Sequence, residues 1–332
     1  MRILIVKLSS LGDVVHAMPA LQDIRRALPS AQIDWVVERA FAPLAARCEG
    51  VDRVIACDIR NWRKAPLKSQ TREQWSAFST ELQRQAYDAV IDLQGLSKSA
   101  LIARLARLAK GGKRYALANR TKGSSWEAPT RWVADVAVRI EPHTHAIERS
   151  RVLCAKALGY PLPAALSFGL QATARNDGAV PRVAFVHGTS RADKQWPVEH
   201  WVQLGRWLNV AGLGVALPHG NDAEQRRGEQ IAAQLADAEV WPRLALDALT
   251  DALAGCAGIV GVDSGLSHIA VALDLPHVQI YNHDTAWRTG PPPSIRQLAL
   301  FARPTPSAHE VWQAWQAVSA TRIAAAVPAR AQ

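Results

Sequence analysis

The sequence lacks most of what would point to a redox cofactor, a structural metal or a membrane span. Its four cysteines, Cys48, Cys57, Cys154 and Cys256, stand far apart with no Cys-x-x-Cys pair among 332 residues. That spacing argues against a zinc site or a disulfide framework and reads them as core or surface thiols. No run of about 18 apolar residues occurs, and the first apolar stretch, residues 3–6, is too short for a signal-peptide core. A cytoplasmic location is the expectation. The first strand-to-helix turn, Lys7-Leu8-Ser9-Ser10-Leu11-Gly12-Asp13, lacks the Gly-x-Gly-x-x-Gly spacing of a dinucleotide fingerprint, which argues against NAD or FAD.

What is present is an ordinary globular composition, 48% apolar and 20% charged, at a length that implies two hydrophobic cores. Charge is divided unevenly between the halves. Residues 1–170 hold 26 Lys and Arg against 15 Asp and Glu, and the rest hold 13 against 14. A one-sided basic field implies an anionic partner: nucleic acid, an acidic membrane surface or a phosphorylated substrate.

Short β-branched runs alternate with helical periodicity. Strands are predicted at 2–6, 33–37, 54–56 and 89–93, with helices from Val14 to Leu28, over 41–46 and over 97–108. Residues 160–181 change to Pro-rich and polar linker chemistry, including the stretch 172–178. A second series follows, with strands at 182–186, 214–217, 239–241, 258–262 and 277–281, a helix over 198–208 and a last helix over 307–326. Alternation of this kind builds α/β domains with parallel sheets. The predicted units are 1–165, 175–305 and a C-terminal helix and tail, 306–332. The 12 Trp residues are expected mostly in the core or at its rim.

Ligands of open parallel sheets bind at the carboxyl ends of strands, where helix N-termini offer free N–H groups. Four turns therefore matter. After 258–262 comes Asp263-Ser264-Gly265-Leu266-Ser267-His268, either an anion grip or an ordinary helix cap. After 182–186, Thr189, Ser190 and Lys194 precede a helix opened by Pro197, which suits a diphosphate or a solvated loop. Glu224 stands near another helix start, able to serve a ribose or the dipole. Asp13 opens the first helix as an N-terminal charge or as a general base for a hydroxyl. Arg60, Arg63 and Lys64 surround Trp62, and Lys98 and Arg120 add to the basic half, consistent with a polyanionic substrate or a solvated face.

Five blocks in register carry a resemblance: 9–16 (SSLGDVVH), 59–64 (IRNWRK), 92–99 (DLQGLSKS), 189–197 (TSRADKQWP) and 262–268 (VDSGLSH). Together the chain resembles the ADP-heptose-dependent lipopolysaccharide heptosyltransferases of glycosyltransferase family 9, over nearly its whole length. The resemblance implies a GT-B fold of two Rossmann-like domains facing a central cleft, with the last helix crossing back to the first domain. It implies inverting, metal-free transfer of L-glycero-D-manno-heptose from ADP-heptose to the first Kdo of Kdo2-lipid A. No clustered Asp/His set contradicts the metal-free reading. It further implies a monomer, peripheral on the anionic cytoplasmic face of the inner membrane, where each cation is worth roughly 1 kcal/mol.

Residue by residue, the implied roles are these. Asp13 removes the acceptor proton, beside Ser10 and Gly12. Lys194, Thr189, Ser190 and the amides of Ser264, Gly265 and Leu266 stabilise the leaving ADP; Asp263 and His268 orient the donor, Glu224 the ribose, and Leu244 lines the adenine pocket. Ser10, Gly12, Arg60, Arg63, Lys64, Gln94, Lys98 and Arg120 hold the acceptor. Two departures stand out: Asn61 where a second Arg can occur, and 281–289 in place of a Tyr-Gly-Pro-Thr sequence. A transferase adding a later heptose is the enzyme alternative. A nucleic-acid-binding module predicts salt-sensitive RNA or DNA binding, but no binding motif supports it.

Overall fold

The computed structural model describes residues 1–174 and 180–326, with side chains described to residue 320. The predicted linker residues 175–179, where the second unit was expected to start, and the tail 327–332 lie outside the described residues. Contacts divide the chain into two compact units, Met1–Gln171 and Ala172–Gln332. Residues 166–171, expected in the linker, belong to the first unit: Gln171 N–H donates to Arg47 O and Glu49 N–H to Gly169 O.

In the first unit the order is β1 (Arg2–Val6), α1 (Leu11–Ala27), β2 (Gln32–Glu38), α2 (Ala42–Ala45), β3 (Arg53–Cys57), α3 (Ile59–Trp62), α4 (Ser69–Gln83), β4 (Tyr87–Asp92), α5 (Ser97–Leu105), β5 (Leu108–Leu117), α6 (Pro129–Val133), β6 (Val136–Val138) and α7 (Ala146–Leu158). All six strands are parallel, in the order β3-β2-β1-β4-β5-β6. Ile3, Leu4, Ile5 and Val6 are fully buried because β1 is covered on both faces, as central strands of such sheets are. Leu4, Val36, Val90, Ile102 and Phe78 share one core.

The second unit runs β7 (Arg182–Val186), α8 (Val198–Val210), β8 (Gly214–Leu217), α9 (Asp222–Ala232), β9 (Ala238–Val240), α10 (Leu246–Ala254), β10 (Gly258–Val262), α11 (Gly265–Ala272), β11 (His277–Tyr281), α12 (Ala286–Thr289), β12 (Gln297–Phe301) and α13 (Ala308–Ala326). Its sheet is again six-stranded and parallel, ordered β12-β11-β10-β7-β8-β9. In both units the strand order reverses once, between β1 and β4 and between β7 and β10. Those reversals are the switch points where the carboxyl ends of doubly wound sheets open a crevice.

Several expectations need correction. The helix predicted over 97–108 ends at Leu105, and Leu108 already belongs to β5, which pairs with β4. The helix predicted over 41–46 is a 3-10 turn, Arg39–Phe41, followed by the four residues of α2. The last helix packs through Val311, Ala314, Trp315 and Val318 into the second unit's core, against α8, β11 and β12. Gly258 explains that fit, since a Cβ there would meet Trp315 at 2.6 Å. Trp132 is 77% exposed, an exception to the expected burial of tryptophan.

Candidate active site

At the β1/β4 switch point the chain builds a carboxylate inside a ring of cations. Asp13 is the third residue of α1, and its Oδ2 accepts from Ser10 N–H and Ser10 Oγ, each at 3.0 Å. Its Oδ1 faces Lys7 Nζ at 3.3 Å and an Arg149 amino group at 3.8 Å. The cap role and an accessible carboxylate therefore coexist, because 35% of the Asp13 side-chain surface stays exposed. Burial pushes its pKa up, but Lys7, the Ser10 amide, Arg149 and His16 outweigh that and hold it well below the usual carboxylate range. Lys7 itself is 2% exposed and also donates to Leu93 O at 3.2 Å. Burial lowers its pKa despite the pull of Asp13.

The turn after β4 fixes this arrangement from below. Gln94 Oε1 accepts from Leu8 N–H and Ser9 N–H, both at 3.0 Å. Gln94, expected to bind the acceptor, thus acts on the shape of the 7–13 turn. Asp92 accepts from Gln94 N–H at 2.9 Å, Gly95 N–H at 3.1 Å and Ser99 Oγ at 2.9 Å, closing the β4–α5 turn. Burial raises the Asp92 pKa to about 6 against those three bonds. Lys98 Nζ donates to Ser9 Oγ at 3.1 Å and lies 3.9 Å from buried Glu38, so it joins the same half-site. Gly12 is buried in α1.

Arg60, Arg63, Lys64 and Arg120 are exposed. The first three ride on a short anchor: Trp62 is 6% exposed, donates to Gln74 Oε1 at 2.9 Å and packs on Trp75 and Phe78 at 5.5 Å each. Asn61, the departure from Arg, donates to Asp58 Oδ1 at 2.9 Å. Arg120 Nε donates to Ser124 O at 3.0 Å.

A separate polar cluster lies at the β7/β10 switch point. Asp263, 8% exposed, meets Lys194 Nζ at 2.5 Å and His268 Nε2 at 3.7 Å. Thr189 Oγ1 donates to Asp263 O at 3.4 Å. The turns after β7 and β10 are thereby joined by a lysine–aspartate pair, where sequence reasoning expected a lysine aimed at an anion. Ser264 caps α11, and the first-turn amides of Gly265 and Leu266 have no intrahelical acceptor, which suits an anion. Gly261 lets α11 approach, since a Cβ there would lie 2.4 Å from Ser267 Oγ. Glu224 accepts from Gly220 N–H at 2.7 Å and packs on Gly188, whose Cβ would fall 2.5 Å from the carboxyl carbon. Ser190 is exposed, and Leu244 is half-buried in the loop before α10.

Three contributors were missed from sequence as functional groups. Lys7 carried a signal, a lysine ending a wholly buried strand. Arg149 carried none, because α7 has no motif. Asn282, inside the divergent segment, donates to Asp193 O at 3.1 Å and Gln195 O at 2.9 Å and accepts from Thr305 Oγ1 at 2.7 Å. It pins the Lys194 turn to the end of β11. Among the described residues no group of three His, Cys, Asp or Glu is placed to hold a metal. No described helix is long and apolar enough to cross a membrane.

A family model described as glycosyltransferase family 9 (heptosyltransferase) matches residues 75–312. Lipopolysaccharide heptosyltransferase 1 of Pseudomonas aeruginosa is 40% identical over 299 residues, 87% of this chain and 81% of the relative. The protein of the same name from Escherichia coli K12 is 40% identical over 291 residues, 85% and 88% of the two chains. The solved structure of E. coli heptosyltransferase WaaC with ADP superposes with a TM-score of 0.85 at 35% identity, covering 94% of this chain and 98% of that one. WaaC with ADP-2-deoxy-2-fluoro heptose gives 0.79 at 34% identity, covering 98% and 100%.

Proposed function

This chain belongs to glycosyltransferase family 9, and from that membership we propose that it transfers L-glycero-D-manno-heptose from ADP-heptose to the first Kdo of Kdo2-lipid A. The observation that carries the reading is Asp13, an ionised and accessible carboxylate flanked by Lys7 and Arg149, with Lys98 held nearby on Ser9 of the same turn. Such a site attracts an anionic sugar and offers its hydroxyl a proton acceptor. The acceptor oxygen attacks the anomeric carbon, the bond to the diphosphate oxygen breaks with its electron pair leaving on ADP, and Asp13 takes the hydroxyl proton. Attack opposite the leaving group inverts the anomeric carbon.

A carboxylate held at low pKa is a weak base. An acceptor carboxylate that engages Arg149 or Lys98 draws positive charge from Asp13 and raises its basicity once substrate is bound. The amides of Ser264 to Leu266, with Lys194, Thr189 and Ser190, receive the charge developing on ADP. Asp263 holds Lys194 in place, Glu224 meets the ribose, His268 orients the donor and Leu244 lies against the adenine. Arg60, Arg63, Lys64 and Arg120 take acceptor phosphates and carboxylates, and the basic first unit favours the anionic cytoplasmic face of the inner membrane, where the monomer acts peripherally.

Four relatives named heptosyltransferase 1 are 40% identical, against 27–28% for three named heptosyltransferase 2, which supports the first transfer over a later one, although the Campylobacter coli relative named heptosyltransferase 1 is 25% identical. Parallel assays on Kdo2-lipid A and on a core already bearing one heptose test it. Transfer to the first acceptor is expected; transfer only to the second reverses the assignment.

A further inference from the structure

Beside the Asp13 half-site, wholly within the first unit, lies a cavity of about 930 Å³ between α3, α4 and the start of α5. Its floor is apolar. Ile59 and the faces of Trp62 and Trp75 form one side, and Leu101, 48% exposed on α5, forms another. Some polar groups of the lining are already engaged: Trp62 N–H is bonded to Gln74, and Glu127 accepts from both Ser97 N–H and Ser97 Oγ; Thr71 lines it as well. Arg63, Arg72 and Lys98 stand on the lining as the cations. Lys98 also reaches Ser9, so one end of the cavity adjoins the turn that carries Asp13.

Against Ile59, Pro66, Leu96 and Leu101 a sugar ring would leave its hydroxyls without partners on that side. An alkyl chain would not, and the volume lies at the upper end of the roughly 300–1,000 Å³ range of ligand pockets. Apolar depth with a cationic lining is complementary to an amphiphile with an anionic head. We infer that the cavity seats one acyl chain of the lipid-linked acceptor, with a neighbouring phosphate or carboxylate on Arg63, Arg72 and Lys98. The inference rests on the acceptor reading above: a chain anchored here presents its sugar head toward Asp13.

The test uses the full chain without donor, titrated by calorimetry with straight-chain alkyl phosphates of increasing length below their micellar concentrations. Each added methylene is expected to tighten binding about fourfold, the equivalent of about 0.8 kcal/mol, until the cavity is filled. Leu101→Asp, at a part-exposed position that a folded protein tolerates, flattens this dependence, with a thermal melt confirming the fold. In the transfer assay, the wild type shows a lower KM for acylated than for deacylated acceptor, and Leu101→Asp removes the difference. A flat length dependence, a slope that survives Leu101→Asp, or equal KM values for the two acceptors overturns the inference. A variant that loses binding to anionic phospholipid vesicles yet keeps the acyl preference assigns the cavity to bulk lipid and also overturns it. Absence of transfer to every Kdo acceptor would instead sink the function, leaving the alkyl phosphate series to be read separately.

Discussion

Replacing Lys194 by Met isolates the contact that joins the turns after β7 and β10. The ammonium is 19% exposed and the carboxylate 8%, at 2.5 Å. Without Lys194, Asp263 keeps His268, at 3.7 Å, and the more distant charge of Arg191. Breaking a largely buried pair by removing one partner costs about 3 kcal/mol, because the remaining charge is left desolvated. For a cooperative unit of this size that amounts to a fall in Tm of roughly 6–12 °C. Asp263→Asn in the same background removes the stranded charge, so the double variant recovers about 2 kcal/mol relative to the sum of the single ones. Urea unfolding of the four proteins measures this coupling, and calorimetry with ADP measures affinity alongside. Loss of a charge-assisted contact to the diphosphate weakens ADP by roughly 10- to 100-fold in both Lys194 variants. A coupling below about 0.5 kcal/mol together with unchanged ADP affinity would refute the reasoning.

Three further outcomes are expected. Gly188→Ala places a methyl 2.5 Å from the Glu224 carboxyl carbon and evicts Glu224 from Gly220 N–H, so the donor KM rises roughly tenfold, equivalent to about 1.4 kcal/mol; an unchanged KM argues against a ribose role. Arg149→Met removes a cation that lowers the Asp13 pKa, so the acid limb of the kcat/KM profile moves to higher pH, and a limb that stays in place contradicts the base assignment. Burial holds His187 down to about 4 and His277 to about 3; both stay neutral in the fold while the unfolded chain takes up protons below about 6.5. Stability is therefore lost as pH falls, by about 2 kcal/mol per histidine between pH 7.5 and 5, and His277→Leu removes its share in urea unfolding at the two pH values.

Of the strands that sequence reasoning located best, β1, β7, β8 and β10 are largely apolar runs buried on both faces, so their composition betrays them, while β11 also buries His277 and Gln279. β5 was hidden because Lys110, Gly111, Gly112, Lys113 and Arg114 carry no strand signal, and the Leu/Ala-rich stretch before it favours helix. Pairing with β4 overrides that preference. Gly112 is needed there, as its Cβ would meet Tyr87 O at 2.5 Å. The candidate site residues stand in the turns and helix starts that follow such strands, as Asp13, Lys194, Glu224 and Asp263 do. Their partners were not legible: Arg149 reaches Asp13 across more than a hundred residues of chain, and Asn282 acts through backbone carbonyls of another turn. Gln94 holds the 7–13 turn through its Oε1, a structural part that its motif does not announce.

The most direct test of the account is mass-spectrometric measurement of heptose transfer from ADP-heptose to Kdo2-lipid A by the wild type and Asp13→Asn side by side, with ADP binding measured on both. The account predicts one added heptose for the wild type, and a rate lowered about 100-fold or more in the variant with ADP affinity retained. No adduct from the wild type, or equal rates from the two proteins, would contradict it.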